Sequence, residues 1–284
     1  MFIRTEKSIR DFILFYPVVS IIVILNILIW IATYYIPITM GNGLSIGETI
    51  YVYGIGYSPA VLEGEYWRLI SPIFLHAQGF SHVVFNSFSL ILFGPALEQM
   101  VGKTKFILAY ILAGIIGNIG TLAFDMLPIF SKEPTLHLGA SGSIYGLFGI
   151  YMYMIVRQKH LIDMRSASIV QTIFLIGLIM TFIQPNINIS AHIFGFIGGF
   201  MIAPFILSRA ERFSFAKNEW KKAQYYSKKY GNEDDPEDAI GFDPNRWGRT
   251  TNKIPAKLRS RLLWIGFFII VLVGIVLSYY AQYN

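Results

Sequence analysis

The chain has 284 residues, of which 54% are hydrophobic and 14% charged, with a mean hydropathy of +0.53. That much apolar surface exceeds what one soluble core hides, so the composition excludes an ordinary soluble domain and places the chain in a bilayer. The net charge of +6 is no sign of nucleic acid here, because the position of basic residues in a membrane protein says more than their sum.

A hydrocarbon core about 30 Å thick needs roughly 20 apolar residues per helix. Taken in chain order, the stretches that qualify predict spans at 12–36, 80–98, 106–124, 138–156, 166–184, 188–207 and 262–282. The first is longer than the ~7 to 15 residues of a secretory apolar region and has no small-residue cleavage signature behind it, so it is expected to stay as an anchor. The Gly-, Tyr- and Pro-rich segment 37–79 that follows is too long for a plain connector. Segment 209–261 turns abruptly charged and polar. Its acidic cluster, Glu233, Asp234, Asp235, Glu237 and Asp238, lacks the spaced glycine and terminal Glu of a calcium loop and reads as a solvated linker.

Basic residues orient these spans. With residues 1–11 cytoplasmic, the inside carries Arg4, Lys7, Arg10, Lys103, Lys105, Arg157, Lys159 and Arg165, and the outside only Arg68 and Lys132. The tally of 8 to 2 leaves out loop 209–261, because the positive-inside rule holds for short loops. The expectation is a cell-membrane protein with a cytoplasmic N-terminus, a core at 12–208 with outer loop 37–79, a cytoplasmic loop at 209–261, and a seventh helix with an outer C-terminus at 262–284.

Ionisable and amide side chains inside spans are costly, so each is a functional candidate. His82 and Asn86 fall near the start of the second span, Ser141 near the start of the fourth and His192 near the start of the sixth. Even-numbered spans share a direction, so these four residues lie in one layer just beneath the outer face. The serine is flanked by Gly139, Gly142 and Gly146, and Gly195 and Gly199 lie on the histidine's own helical face. Small faces let membrane helices approach closely, which brings an imidazole within reach of a hydroxyl. Ser141 is then the candidate nucleophile and His192 its base. His82 and Asn86, spaced i, i+4, are candidate oxyanion donors with the Ser141 N–H. No Asp or Glu lies within the fourth or sixth span, so the expectation is a dyad, with no metal or cofactor. A G-x-S-G string alone arises by chance at packing faces. Its conjunction with an intramembrane histidine at the same depth is far more specific. His76, His137 and His160, in loops or at ends, read as interfacial or solvated, and Glu98 as a helix-end hydrogen-bond partner.

From Gly54 to Leu207 the sequence resembles the rhomboid family. It has Trp67–Arg68 in the first outer loop, His82 and Asn86 as H-x-x-x-N, Gly94, Glu98 and Gly102 closing that helix, G-x-S-G at 139–142 followed by Tyr145, and A-H-x-x-G at 191–195. The resemblance implies an all-α polytopic membrane protein, a bundle of six transmembrane helices with a seventh appended. It implies an intramembrane serine endopeptidase with Ser141 as nucleophile, His192 as base, His82 and Asn86 as oxyanion donors, Tyr145 packed near the dyad, and Trp67 and Arg68 structuring the loop. The partners expected are single-span membrane proteins as substrates and the lipid bilayer, with no nucleic acid. His76 lies six residues before His82, where the family usually has five, so no role transfers to it. The alternative is a catalytically inactive rhomboid-like protein that binds clients. A solute transporter would show inverted repeats or paired interrupted helices, and neither is present.

Overall fold

The computed structural model describes residues 8–36, 44–127, 134, 136–184, 187–213, 219–220 and 222–226. The predicted seventh span lies outside the described residues, as do the acidic cluster and most of loop 209–261.

The first predicted span is broken in two: helix α1 is Ile9–Phe15 and α2 is Pro17–Tyr35. Ser8 caps α1 by accepting from the Asp11 N–H at 3.2 Å. Pro17 is the cause of the break, because its ring disfavours helical geometry at the preceding Tyr16 while suiting the first position of a new helix. The first turn of α2 is closed by a distant residue, Glu98, whose carboxylate accepts from the N–H groups of Val18 and Val19 at 3.1 and 2.9 Å. Residues 222–226 return to α1: Tyr226 donates to Asp11, and the Tyr225 ring meets Phe15 edge-on at 5.9 Å.

Segment 44–79 is a folded unit. Ser45 and Glu48 form a capping box at the start of α3 (Ile46–Gly54), followed by β1 (Gly56–Tyr57), α4 (Ser58–Leu62) and two 3-10 turns, Tyr66–Leu69 and Ser71–Phe74. Arg68 knots it together. Its guanidinium is buried and bonds Glu65 at 2.5 Å and the carbonyls of Val52 and Ile55 at 2.9 and 2.7 Å, so a charge taken out of water finds a carboxylate and two carbonyls in exchange. Trp67 donates to the Tyr53 carbonyl at 2.9 Å.

The remaining helices are α5 (Phe80–Val101), α6 (Lys103–Asp125), α7 (Ser141–Arg157), α8 (Met164–Ile183) and α9 (Ile189–Ile206). Gly102, at φ +84°, makes the tight turn from α5 to α6, a conformation that glycine adopts without strain. Helices α2, α5, α6, α8 and α9 are each long and apolar enough to cross a membrane. Helix α7 has 17 residues, of which 12 are buried, so it sees protein rather than lipid and forms the axis of the bundle. The chain is an all-α polytopic membrane protein. Its one sheet among the described residues is a two-residue bridge, β1 antiparallel to β2 (Leu136–His137), with Gly56 opposite His137 and Tyr57 opposite Leu136.

The axis helix meets α9 backbone to backbone. A Cβ on Gly195 would overlap the Gly142 carbonyl, and one on Gly199 the Gly146 carbonyl. This is the close approach that small residues permit in membranes.

Candidate active site

Three helix starts converge at one end of the bundle. Ser141 is the first residue of α7, so the helix begins three residues after the predicted start at 138, because residues 136–139 run as strand and turn. Gly139 makes that turn at φ +130°, held by its N–H donating to the Pro72 carbonyl at 2.8 Å. At this first position the Ser141 N–H has no intrahelical acceptor. His192 is the fourth residue of α9. The N-terminus of α9 is fixed by Asn188, whose side chain accepts from the Ala191 N–H at 3.0 Å and from Ser190 at 2.8 Å, and donates to Thr121 of α6 at 2.9 Å.

The Ser141 hydroxyl lies 2.7 Å from Nε2 of His192. The imidazole is buried and stacks on the Tyr145 ring, with centroids 4.1 Å apart and planes at 14°. Its other nitrogen, Nδ1, is 2.8 Å from the hydroxyl of Thr181 on α8, which is in turn 2.7 Å from the Tyr145 hydroxyl. A serine whose proton faces a neutral imidazole nitrogen is the arrangement from which general-base attack proceeds.

His82, the third residue of α5, accepts the Ala77 N–H on Nδ1 at 3.2 Å. That bond leaves the ring proton on Nε2, which is therefore a donor. Trp30 of α2 holds the same residue from behind, donating to the Ala77 carbonyl at 3.0 Å. A Cβ built on Gly139 would sit 2.8 Å from His82 Nε2 and 3.6 Å from the Ser141 hydroxyl, so both border the same point. Asn86, one turn deeper on α5, is buried, and its amide nitrogen has no partner among the described residues. A buried amide donor without a partner is one that a developing negative charge could use.

Two histidines read from the sequence as interfacial or solvated are neither. His76 is 1% exposed and His137 7% exposed. The folded loop covers them: His137 lies in the β1–β2 bridge, and the His76 ring meets His82 edge-on with centroids 5.1 Å apart. Burial, and then the neighbouring His82, push the His76 imidazole down to about 3. His160 is exposed. Glu98 is 2% exposed and caps α2, away from the serine.

A cleft of about 750 Å³ reaches this end of the bundle, with Tyr34, Tyr51, His82, His137 and Asn188 in its wall. Among the described residues no three His, Cys, Asp or Glu side chains gather as a metal site would require. The sequence had not singled out Thr181, Trp30 or Asn188. The only signal for Thr181 is a hydroxyl within an apolar span.

Residues 63–209 match the family model described as the Rhomboid domain, an interval that contains Ser141, His192, His82, Asn86 and Thr181. The chain is 42% identical over 212 residues to YdcA of Bacillus subtilis (strain 168), provisionally named a rhomboid protease, covering 75% of this chain and 99% of that one. It is 34% identical over 164 residues to rhomboid protease GluP of the same organism, covering 58% of this chain and 31% of GluP. Identity to the chloroplastic RHOMBOID-like protein 9 of Arabidopsis thaliana is 30% over 208 residues, covering 70% of this chain and 45% of the plant protein.

Proposed function

The chain belongs to the rhomboid family, and on that footing we propose that it is an intramembrane serine endopeptidase cutting other membrane proteins with Ser141 and His192. The observation that carries the proposal is the 2.7 Å separation of the Ser141 hydroxyl and His192 Nε2. Ser141 Oγ attacks the scissile carbonyl as Nε2 takes its proton, and the oxyanion is received by the Ser141 N–H, the His82 Nε2–H and the Asn86 amide. His192 returns the proton to the leaving amine, giving an acyl-enzyme. Water, losing a proton to the same nitrogen, then releases the acid and restores Ser141.

By the basic-residue tally the N-terminus and loop 209–261 are cytoplasmic, the seventh span at 262–282 leads to an outer C-terminus, and the dyad sits beneath the outer face of the cell membrane. The substrates are single-span proteins cut near their outer end. A helix in lipid satisfies its own backbone, so it must unwind before Ser141 reaches a carbonyl, and unwinding costs several kcal/mol per unsatisfied group. Gly or Pro there raises the rate and a run of Leu lowers it.

The test is turnover of a panel of single-span substrates in liposomes. Ser141→Ala and His192→Ala each abolish cleavage, the double variant is little worse than either because the pair acts as a unit, and Asn86→Ala slows it about 10²- to 10³-fold. Near wild-type turnover by Ser141→Ala refutes the dyad. Binding of substrate by the wild type without any cutting favours the client-binding alternative.

A further inference from the structure

We infer that Thr181 is a positioning residue, an uncharged third member of the site that holds His192 in the tautomer able to act as base; this rests on the reading of Ser141 and His192 given above. Helices α7, α8 and α9 contain no Asp or Glu, so no carboxylate on them can orient the imidazole. Nδ1 of His192 instead meets Thr181 Oγ1 at 2.8 Å. Thr181 is 1% exposed, and two further polar groups touch the same oxygen: the Tyr145 hydroxyl at 2.7 Å and the Gly177 carbonyl at 2.9 Å.

The protons at this junction can be counted. A threonine hydroxyl has one proton and two lone pairs. The Gly177 carbonyl only accepts, so the Thr181 proton goes there. The two lone pairs then accept the Tyr145 O–H and the His192 Nδ1–H. With its proton on Nδ1, the imidazole presents a bare Nε2 to the Ser141 hydroxyl, which is the base-competent state. The opposite tautomer takes the Thr181 proton away from Gly177 and leaves a lone pair empty on a residue that is itself buried. When Nε2 receives the serine proton, Nδ1–H goes on donating to the same oxygen, so nothing at Thr181 reorganises as charge develops.

The surroundings of Thr181 fix the geometry of that junction. The Tyr145 ring lies flat against His192, and its hydroxyl ends on Thr181, so one side chain supports the imidazole face and closes the hydrogen-bond set. A Cβ on Gly177 would stand 3.0 Å from the Tyr145 oxygen, so glycine leaves room for that hydroxyl. The lipid-facing side of α8 is apolar, with Ile176, Ile179, Met180 and Ile183 exposed. Thr181 is thus the inward polar contact through which α8 reaches the dyad.

Thr181→Val preserves shape and removes the acceptor, whereas Thr181→Ser keeps it. On a chemistry-limited single-span substrate in liposomes, Thr181→Val should lower kcat about 10- to 100-fold with KM unchanged, because Thr181 acts on the base. Thr181→Ser should stay within about threefold of wild type. Nitrogen-15 spectra of histidine-labelled protein in detergent should show His192 protonated on Nδ1 in wild type and Thr181→Ser, and a tautomer mixture in Thr181→Val. Should Thr181→Val not fold, Thr181→Cys, whose sulfur accepts only weakly, carries the same expectation. Wild-type kcat in the folded variant, or an unchanged Nδ1–H population, overturns the role. Ser141→Ala separates the two readings. If it is inactive while Thr181→Val keeps full rate, only the positioning role falls; if Ser141→Ala itself cuts at full rate, the reading beneath it falls.

Discussion

Replacing Gly139 by alanine tests the oxyanion geometry directly. At φ +130° an L-residue is strained, at a cost on the order of 1–3 kcal/mol. The turn cannot relax freely, because the Gly139 N–H is bonded to the Pro72 carbonyl at 2.8 Å. The added methyl would sit 2.8 Å from His82 Nε2, against an ordinary contact of at least 3.4 Å, so the imidazole must retreat by about 0.6 Å. A displacement of about 1 Å at a reacting centre costs on the order of 10² in rate, and loss of one oxyanion donor about 10² to 10³. Gly139→Ala should therefore lower kcat about 10²-fold. Gly64 supplies the control: its φ is +108°, but a Cβ there meets nothing within 4 Å. Gly64→Ala should lose comparable thermal stability with little loss of rate. Turnover is measured in liposomes below the melting temperature of both variants, and a kcat for Gly139→Ala within threefold of Gly64→Ala refutes the geometry argued for His82 and Ser141.

Glu98→Leu strips the acceptor from two N–H groups of α2 and should lower stability in detergent by about 2–5 kcal/mol, with Glu98→Gln losing less; unfolding curves that overlay wild type would remove the capping role. His76 makes stability depend on acid. The unfolded ring titrates near 6.5 and the buried one near 3, so between those values the unfolded chain binds the extra proton, and stability present above pH 6.5 is lost as pH falls. From pH 7 to pH 5 the loss is about 2 kcal/mol, and it should be absent from His76→Leu in parallel denaturant titrations; equal slopes for the two proteins refute it.

The apolar runs made the helices readable, and the glycines at 142, 146, 195 and 199 announced the contact between α7 and α9, because small residues at helical spacing have few other uses in lipid. The break at Pro17 was written in the sequence as Tyr-Pro, but an unbroken apolar run masked it. Loop residues were harder. Nothing local to His137 says that it will sit opposite Gly56, far earlier in the chain, and nothing local to His76 says that the start of α5 will set the His82 ring against it. Thr181 was illegible for a similar reason, since a threonine in an apolar helix most often bonds its own backbone, and Thr181 does that while also meeting His192.

The bridge between β1 and β2 has a mechanical side. Residues 136–139 are fastened to the first long segment twice, through Gly56 opposite His137 and through Pro72 to Gly139, and the nucleophile begins two residues later. The path from segment 44–74 to Ser141 along these two contacts passes through no membrane-spanning helix. Linkage makes any such coupling reciprocal: if binding at segment 44–74 shifts the free energy of binding at Ser141, binding at Ser141 shifts that at the segment by the same amount.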